Sequence, residues 1–108
     1  MEETVIGTLF GKKLYRKGYT TTVSTSTYVQ TLDKLSNVLP NLDVMLNYYG
    51  WLATDDGVLL KIPYSKGGDA FTASCNLWFY KTQDKLYVSC FSSGGTLTVF
   101  FEYTKTTD

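Results

Sequence analysis

Histidine is absent from the 108 residues, which removes Ser-His and Cys-His nucleophilic dyads, histidine metal clusters and the commonest general base. Cysteine is scarce. Cys75 and Cys90 are too few for the disulfide framework of a small secreted scaffold, and they lack the close pairing or histidine neighbours of a zinc site. No charge of one sign prevails either: ten basic residues cancel ten acidic ones and no stretch concentrates either. The counterion release that drives nucleic-acid binding therefore has no source, and DNA, RNA and anionic membranes are not expected partners. No apolar run approaches the length of a membrane span, and Met1-Glu2-Glu3-Thr4 lacks the basic and apolar regions of a secretory signal, so the chain is expected to be made in soluble form.

The remaining chemistry is thin. Glycoside hydrolysis needs two carboxylates converging on one cleft, but Asp55 and Asp56 sit in a turn signal, Asp33 and Asp43 border a loop, and Glu102 falls in a strand pattern. Gly67-Gly68 and Gly94-Gly95 are loop doublets without the following helix that a phosphate site requires. No acidic spacing suits a calcium loop. The expectation is a chain that binds and assembles, with no catalytic residue, metal or cofactor.

What is present is apolar and aromatic: 44% hydrophobic and 16% aromatic residues. That is too much for disorder and sufficient for one modest core, since a chain of this size buries roughly two-thirds of its unfolded surface. β-Branched and aromatic residues come in runs bounded by Gly, Asp, Ser and Lys, and almost nowhere at helical spacing. The pattern predicts an all-β fold, a single antiparallel β-sandwich of about seven short strands joined by hairpins, over one domain spanning 1–108. A first hairpin runs 4–10 and 13–23 around Gly11-Lys12, followed by a Thr/Ser stretch over 19–31. Leu32, Leu35 and Leu39 have helix-like spacing, but Pro40 limits 32–38 to a loop with at most a 3₁₀ turn. Strands 42–52 and 58–64 flank the turn Thr54-Asp55-Asp56-Gly57, and 65–69 form a loop. A three-strand meander follows, 70–81, 85–91 and 96–105, joined by 82–84 and 92–95.

Alternation within the meander sends Ala73, Cys75, Leu77 and Phe79, then Leu86, Val88 and Cys90, then Leu97, Val99, Phe101 and Tyr103 into the core. A tight turn around Thr82 and Gln83 pairs Phe79 with Leu86, Leu77 with Val88 and Cys75 with Cys90. The cysteines are expected as reduced core thiols, with a disulfide as the alternative. The same register puts Trp78, Tyr80 and Tyr87 outside among Asn76, Ser89 and Lys85. Such a surface serves sheet packing, a subunit interface or a sugar-stacking platform. Tyr48, Tyr49 and Trp51 form a second aromatic cluster, of which alternation allows at most half to serve one site. These six residues are the candidate ligand or interface positions.

The two ends of the chain carry a more specific signal. Residues 3–17, ETVIGTLFGKKLYRK, resemble the E-x-V-I/V-G-x-W-x-D-G-K-P-L/I-Y-x-K hairpin of many bacteriophage tail proteins, and 101–108, FEYTKTTD, resemble their Y-T-K-T-T-D finish. Asn41-Leu42-Asp43, the Asp56-Gly57 turn and Leu60-Lys61-Ile62-Pro63-Tyr64 are similar to that family's N-I-D, mid-domain turn and L-P-Y positions, in the same order. In the first turn the chain departs, with Leu9-Phe10-Gly11 in place of W-x-D-G. The resemblance implies the C-terminal receptor-binding or tip domain of a longer tail-fibre protein, located in the virion tail. It also implies a homotrimer that attaches to bacterial surface carbohydrate, and a hairpin and edge strand at the two ends. The alternative is a structural trimerisation or capping module with no host ligand.

Overall fold

The computed structural model describes residues 3–23, 29–55, 57, 59–62, 64–65, 74–90 and 94–107, with the backbone alone at 29, 64, 65, 74, 75 and 90. Runs with a period of two become strands β1 (Thr4–Leu9), β2 (Lys12–Val23), β3 (Val29–Asp33), β4 (Leu42–Thr54), β5 (Leu59–Ile62), β6 (Tyr64–Ser65), β7 (Ser74–Tyr80), β8 (Lys85–Cys90) and β9 (Gly95–Lys105). They pair antiparallel throughout, as one sheet in the order β1-β2-β9-β4-β5 and a second in the order β3-β8-β7-β6. The chain is all-β, and the two sheets meet face to face as a sandwich. Phe79 of β7 packs edge-on against Tyr48 of β4 (5.5 Å) and Phe101 of β9 (5.8 Å), and the Leu77 amide donates to the Tyr48 hydroxyl (3.2 Å).

Among the described residues there are nine strands, where about seven were expected. The extra ones are β3, which takes up the end of the Thr/Ser stretch together with Leu32 and Asp33, and β6, which divides the expected strand 58–64 between the two sheets. Three strands are also long, with 12 residues in β2, 13 in β4 and 11 in β9. The expected meander is likewise divided. β7 and β8 pair in the predicted register, Phe79 with Leu86, Leu77 with Val88, Cys75 with Cys90 and Trp78 with Tyr87. β9 instead joins the other sheet, between β2 and β4. Its predicted inner residues Leu97, Val99, Phe101 and Tyr103 are fully buried, as a central strand requires. The closing segment is thus no edge strand. Ala73 and the cysteine side chains lie outside the described part. Of the loop expected over 65–69, Ser65 ends β6 and the rest is outside it, as are Ser92 and Ser93.

The first turn also shifts by one residue. Leu9 faces Lys12 in the ladder, so Phe10 and Gly11 form the two-residue loop, with φ of 50° and 80°. A type I′ turn needs positive φ at both places; Gly11 adopts it freely, whereas a bulky side chain there costs on the order of 1–2 kcal/mol.

Residues 32–38 are not the expected loop. Leu35–Val38 make one α-helical turn, α1, closed by the Leu39 amide donating to the Leu35 carbonyl (2.8 Å). Apolar spacing drives it, because Leu35, Val38 and Leu39 are all buried against the open side of the core. Such a short turn cannot satisfy its own ends. Asp84, held at φ 53° in the β7–β8 loop, accepts from the Ser36 amide and hydroxyl (both 2.7 Å), and Lys17 donates to the Val38 carbonyl (2.6 Å).

The end segments meet at one side of the larger sheet. Glu3 accepts from Lys105 Nζ (2.5 Å) and from the Tyr103 hydroxyl. Asp43 accepts from Lys12 (2.7 Å) and Thr104 (3.1 Å), and the Asn41 carbonyl accepts from the Thr106 amide (2.9 Å). Tyr15 stacks on Tyr103 at 5.9 Å, with Lys105 Nζ 4.3 Å from the Tyr15 ring centre. Partial burial pushes Glu3 upward, but hydrogen bonds from Lys105 and Tyr103 and two lysine charges outweigh it and hold the carboxyl below its ordinary value. Burial, reinforced by the Glu3 carboxylate, pushes the Tyr103 phenol up. A lowered folded-state pKa means that Glu3 contributes stability above its unfolded value of 4.5, and that this is lost as pH falls through the folded value. Glu3→Gln should therefore lower the urea midpoint at pH 7, with the gap from wild type shrinking toward pH 3. A gap unchanged with pH would disprove the clamp's ionic character.

Candidate binding surfaces

Strand alternation sorts the six aromatic candidates into three places. Tyr48 points between the sheets, bonded to β7 as described, and belongs to the core rather than to a surface site. Tyr49 and Trp51 point outward from β4, and Trp78, Tyr80 and Tyr87 cover the outer side of the smaller sheet, on the opposite face of the sandwich.

On the larger sheet Tyr49 lies directly across from Phe100 of β9, their rings stacked at 5.7 Å and 24°, while Trp51 leans on the same Phe100 at 6.2 Å. On the other flank of β4, Trp51 faces Lys61 and Ala53 faces Leu59 of β5. Tyr49, Gly50, Trp51, Leu59 and Lys61 line a shallow groove of about 330 Å³. It is open: Trp51 retains 39% and Leu59 68% of its accessible surface. Among the described residues the lining is almost wholly apolar, with Lys61 as its one charged side chain. The nearest ions along the outer face of β9 and β2, Glu102 and Arg16, pair with each other at 3.8 Å.

The smaller sheet carries a second aromatic surface. Tyr80 and Tyr87 meet edge to face at 5.1 Å, Trp78 stands across from Tyr87, and Lys85 Nζ sits 5.9 Å from the Tyr87 ring centre. A second depression, of about 190 Å³, lies by α1, lined by Leu35, Ser36, Leu39, Asn41, Leu42, Lys81 and Asp84. Its polar groups already serve the fold: Asp84 holds Ser36, Lys81 donates to the Asp43 carbonyl (2.9 Å), and the Asn41 carbonyl holds Thr106.

Leu59 and Lys61, which line the groove, and Phe100, which lies beside it under Tyr49 and Trp51, are not among the six sequence candidates. Phe100 was legible from parity, since Val99 and Phe101 point inward and leave it outside. Leu59 and Lys61 depend on the β4–β5 register, which sequence spacing leaves open. Among the described residues no three of His, Cys, Asp and Glu come together as a metal site, and no helix is long and apolar enough to cross a membrane. Hydrogen bonds from Lys12 and Thr104 hold Asp43 low, and those from Ser36 hold Asp84 low, which marks both as structural anions. No family model, curated protein or solved structure matches this chain.

Proposed function

We propose that this chain is the receptor-binding or tip domain of a bacteriophage tail fibre, attaching as a homotrimer to carbohydrate on the bacterial surface. The observation that carries the reading is the open groove of Tyr49, Trp51, Leu59 and Lys61 beside Phe100. Rigid aromatic faces suit the C–H face of a sugar, the Tyr49 hydroxyl and Lys61 supply polar contacts, and the volume lies near the lower end of the range for small-ligand sites. The resemblance of 3–17 and 101–108 to tail-fibre domains adds the setting. A shallow site binds weakly by itself, and three copies per fibre on several fibres turn weak contacts into useful avidity.

A second reading, a trimerising or capping module without a host ligand, draws on the exposed Trp78 and Tyr80 of the opposite face. Sedimentation measures the assembly, and cell attachment by the multivalent protein separates the two readings. Trp51→Ala should reduce attachment by a factor of about 30, as loss of a central aromatic contact of roughly 2 kcal/mol does, with the melting temperature little changed. Trp78→Ala should affect attachment less. A trimer that binds no cells at high valency would leave only the structural module.

A further inference from the structure

We propose that the saccharide unit held in this groove is acidic, its ring lying on Trp51 and its anionic substituent meeting the Lys61 ammonium. The inference rests on the carbohydrate-binding reading and adds the charge of the ligand.

Lys61 stands directly across the ladder from Trp51, so both side chains rise from the same outer face. Cross-strand partners of this kind have Cβ atoms about 5 Å apart, and the four-carbon stem of a lysine spans the width of a sugar ring. Among the described residues nothing engages the ammonium. The other cations near the aromatic surfaces are engaged: Lys85 stands over Tyr87, Lys105 is bonded to Glu3 above the Tyr15 ring, and Arg16 is paired with Glu102. Among the described residues Lys61 makes no ion pair, hydrogen bond or cation–π contact, and it is exposed. Among the described residues no carboxylate lines the groove to neutralise it.

The physical consequence is selectivity. A neutral sugar stacked on Trp51 would crowd water from the ammonium and return no charge to it. A sugar carrying a carboxylate or phosphate replaces that water with a charge-assisted hydrogen bond, about twice as strong as a neutral one. Lys61 thereby sorts saccharides by charge while Trp51 supplies contact area to any of them.

The test is an array carrying hexuronic acid, sialic acid, phosphate-substituted and neutral oligosaccharides, probed with the full chain displayed multivalently on beads. Wild type should bind acidic spots, with the signal falling as salt rises. Lys61→Gln should lower that signal about tenfold, Lys61→Arg should retain most of it, and Trp51→Ala should lower it about 30-fold. The uronate and phosphate arms tell which anion is preferred. Binding confined to neutral spots, or acidic binding indifferent to Lys61→Gln, overturns the acidic ligand and leaves the carbohydrate reading intact. No spot bound by the multivalent wild type removes both.

Discussion

Gly50→Ala should cost the protein roughly 3 kcal/mol or more, beyond the usual range for an overpacked side chain, because nothing near the new methyl group can yield. A Cβ built on Gly50 would stand 2.0 Å from the Thr98 carbonyl oxygen and 2.7 Å from the Val99 Cα. Both are backbone atoms of β9, the strand paired on both sides, by β2 and by β4. Relief would require opening the β4–β9 seam itself. Gly95 makes the reciprocal approach, its missing Cβ lying 2.1 Å from the Ala53 carbonyl oxygen. Each strand thus carries a glycine where its partner's backbone comes closest. A loss of that size should lower the melting temperature by at least about 12 °C, and saccharide binding should fall with it, since Gly50 lies in the groove between Tyr49 and Trp51. Gly7→Ala is the control: its Cβ would meet nothing within 4 Å, so it should stay within about 0.5 kcal/mol of wild type. Thermal denaturation followed by circular dichroism measures both, and a Gly50→Ala protein melting within a few degrees of wild type would refute the close-approach argument.

Local pattern carried the β7–β8 hairpin into the sequence reading down to its residue pairs. Alternation fixed which side of each strand is apolar, and the four residues between Tyr80 and Lys85 fixed the register. Alternation says nothing of which strand pairs with which. β9 follows β8 closely in sequence, and a meander is the shortest connection, yet β9 pairs with β2 and β4. Its length is the physical reason: an 11-residue strand buried along one whole face finds partners of 12 and 13 residues only in the other sheet. The helical turn at Leu35 was hidden for a related reason. Its caps come from Lys17 and Asp84, far away in sequence, so no local signal for its ends exists.

The candidate surface divides in the same way. Parity alone separates Tyr48 from Tyr49 and Trp51, because adjacent strand residues face opposite ways. What makes a groove of two outward rings is their neighbours, Phe100 from one flanking strand and Leu59 and Lys61 from the other. Those flanks are set by long-range pairing. The opposite face formed by Trp78, Tyr80 and Tyr87 was legible in full because a single hairpin builds it.

Two adjacent phenylalanines put this division to the sharpest test. Phe101→Ala should destabilise the protein by about 3–5 kcal/mol, the cost of truncating a fully buried aromatic and leaving a cavity. Phe101 is wholly buried, with Tyr19 of its own sheet at 6.4 Å and Phe79 of the facing sheet at 5.8 Å. Phe79 in turn meets Tyr48, whose hydroxyl accepts from β7, so removing Phe101 loosens the contact that registers one sheet on the other. Phe100 sits next to it with the opposite orientation, half-buried under Tyr49 and Trp51. Phe100→Ala should cost only about 1 kcal/mol, near the average for single substitutions, yet weaken saccharide binding by removing the ring on which both groove aromatics rest. Urea unfolding and array binding on the two variants should therefore respond in opposite order. If Phe100→Ala proves the more destabilising of the pair, the assignment of inner and outer faces along β9 is wrong, and the groove that depends on it is wrong as well.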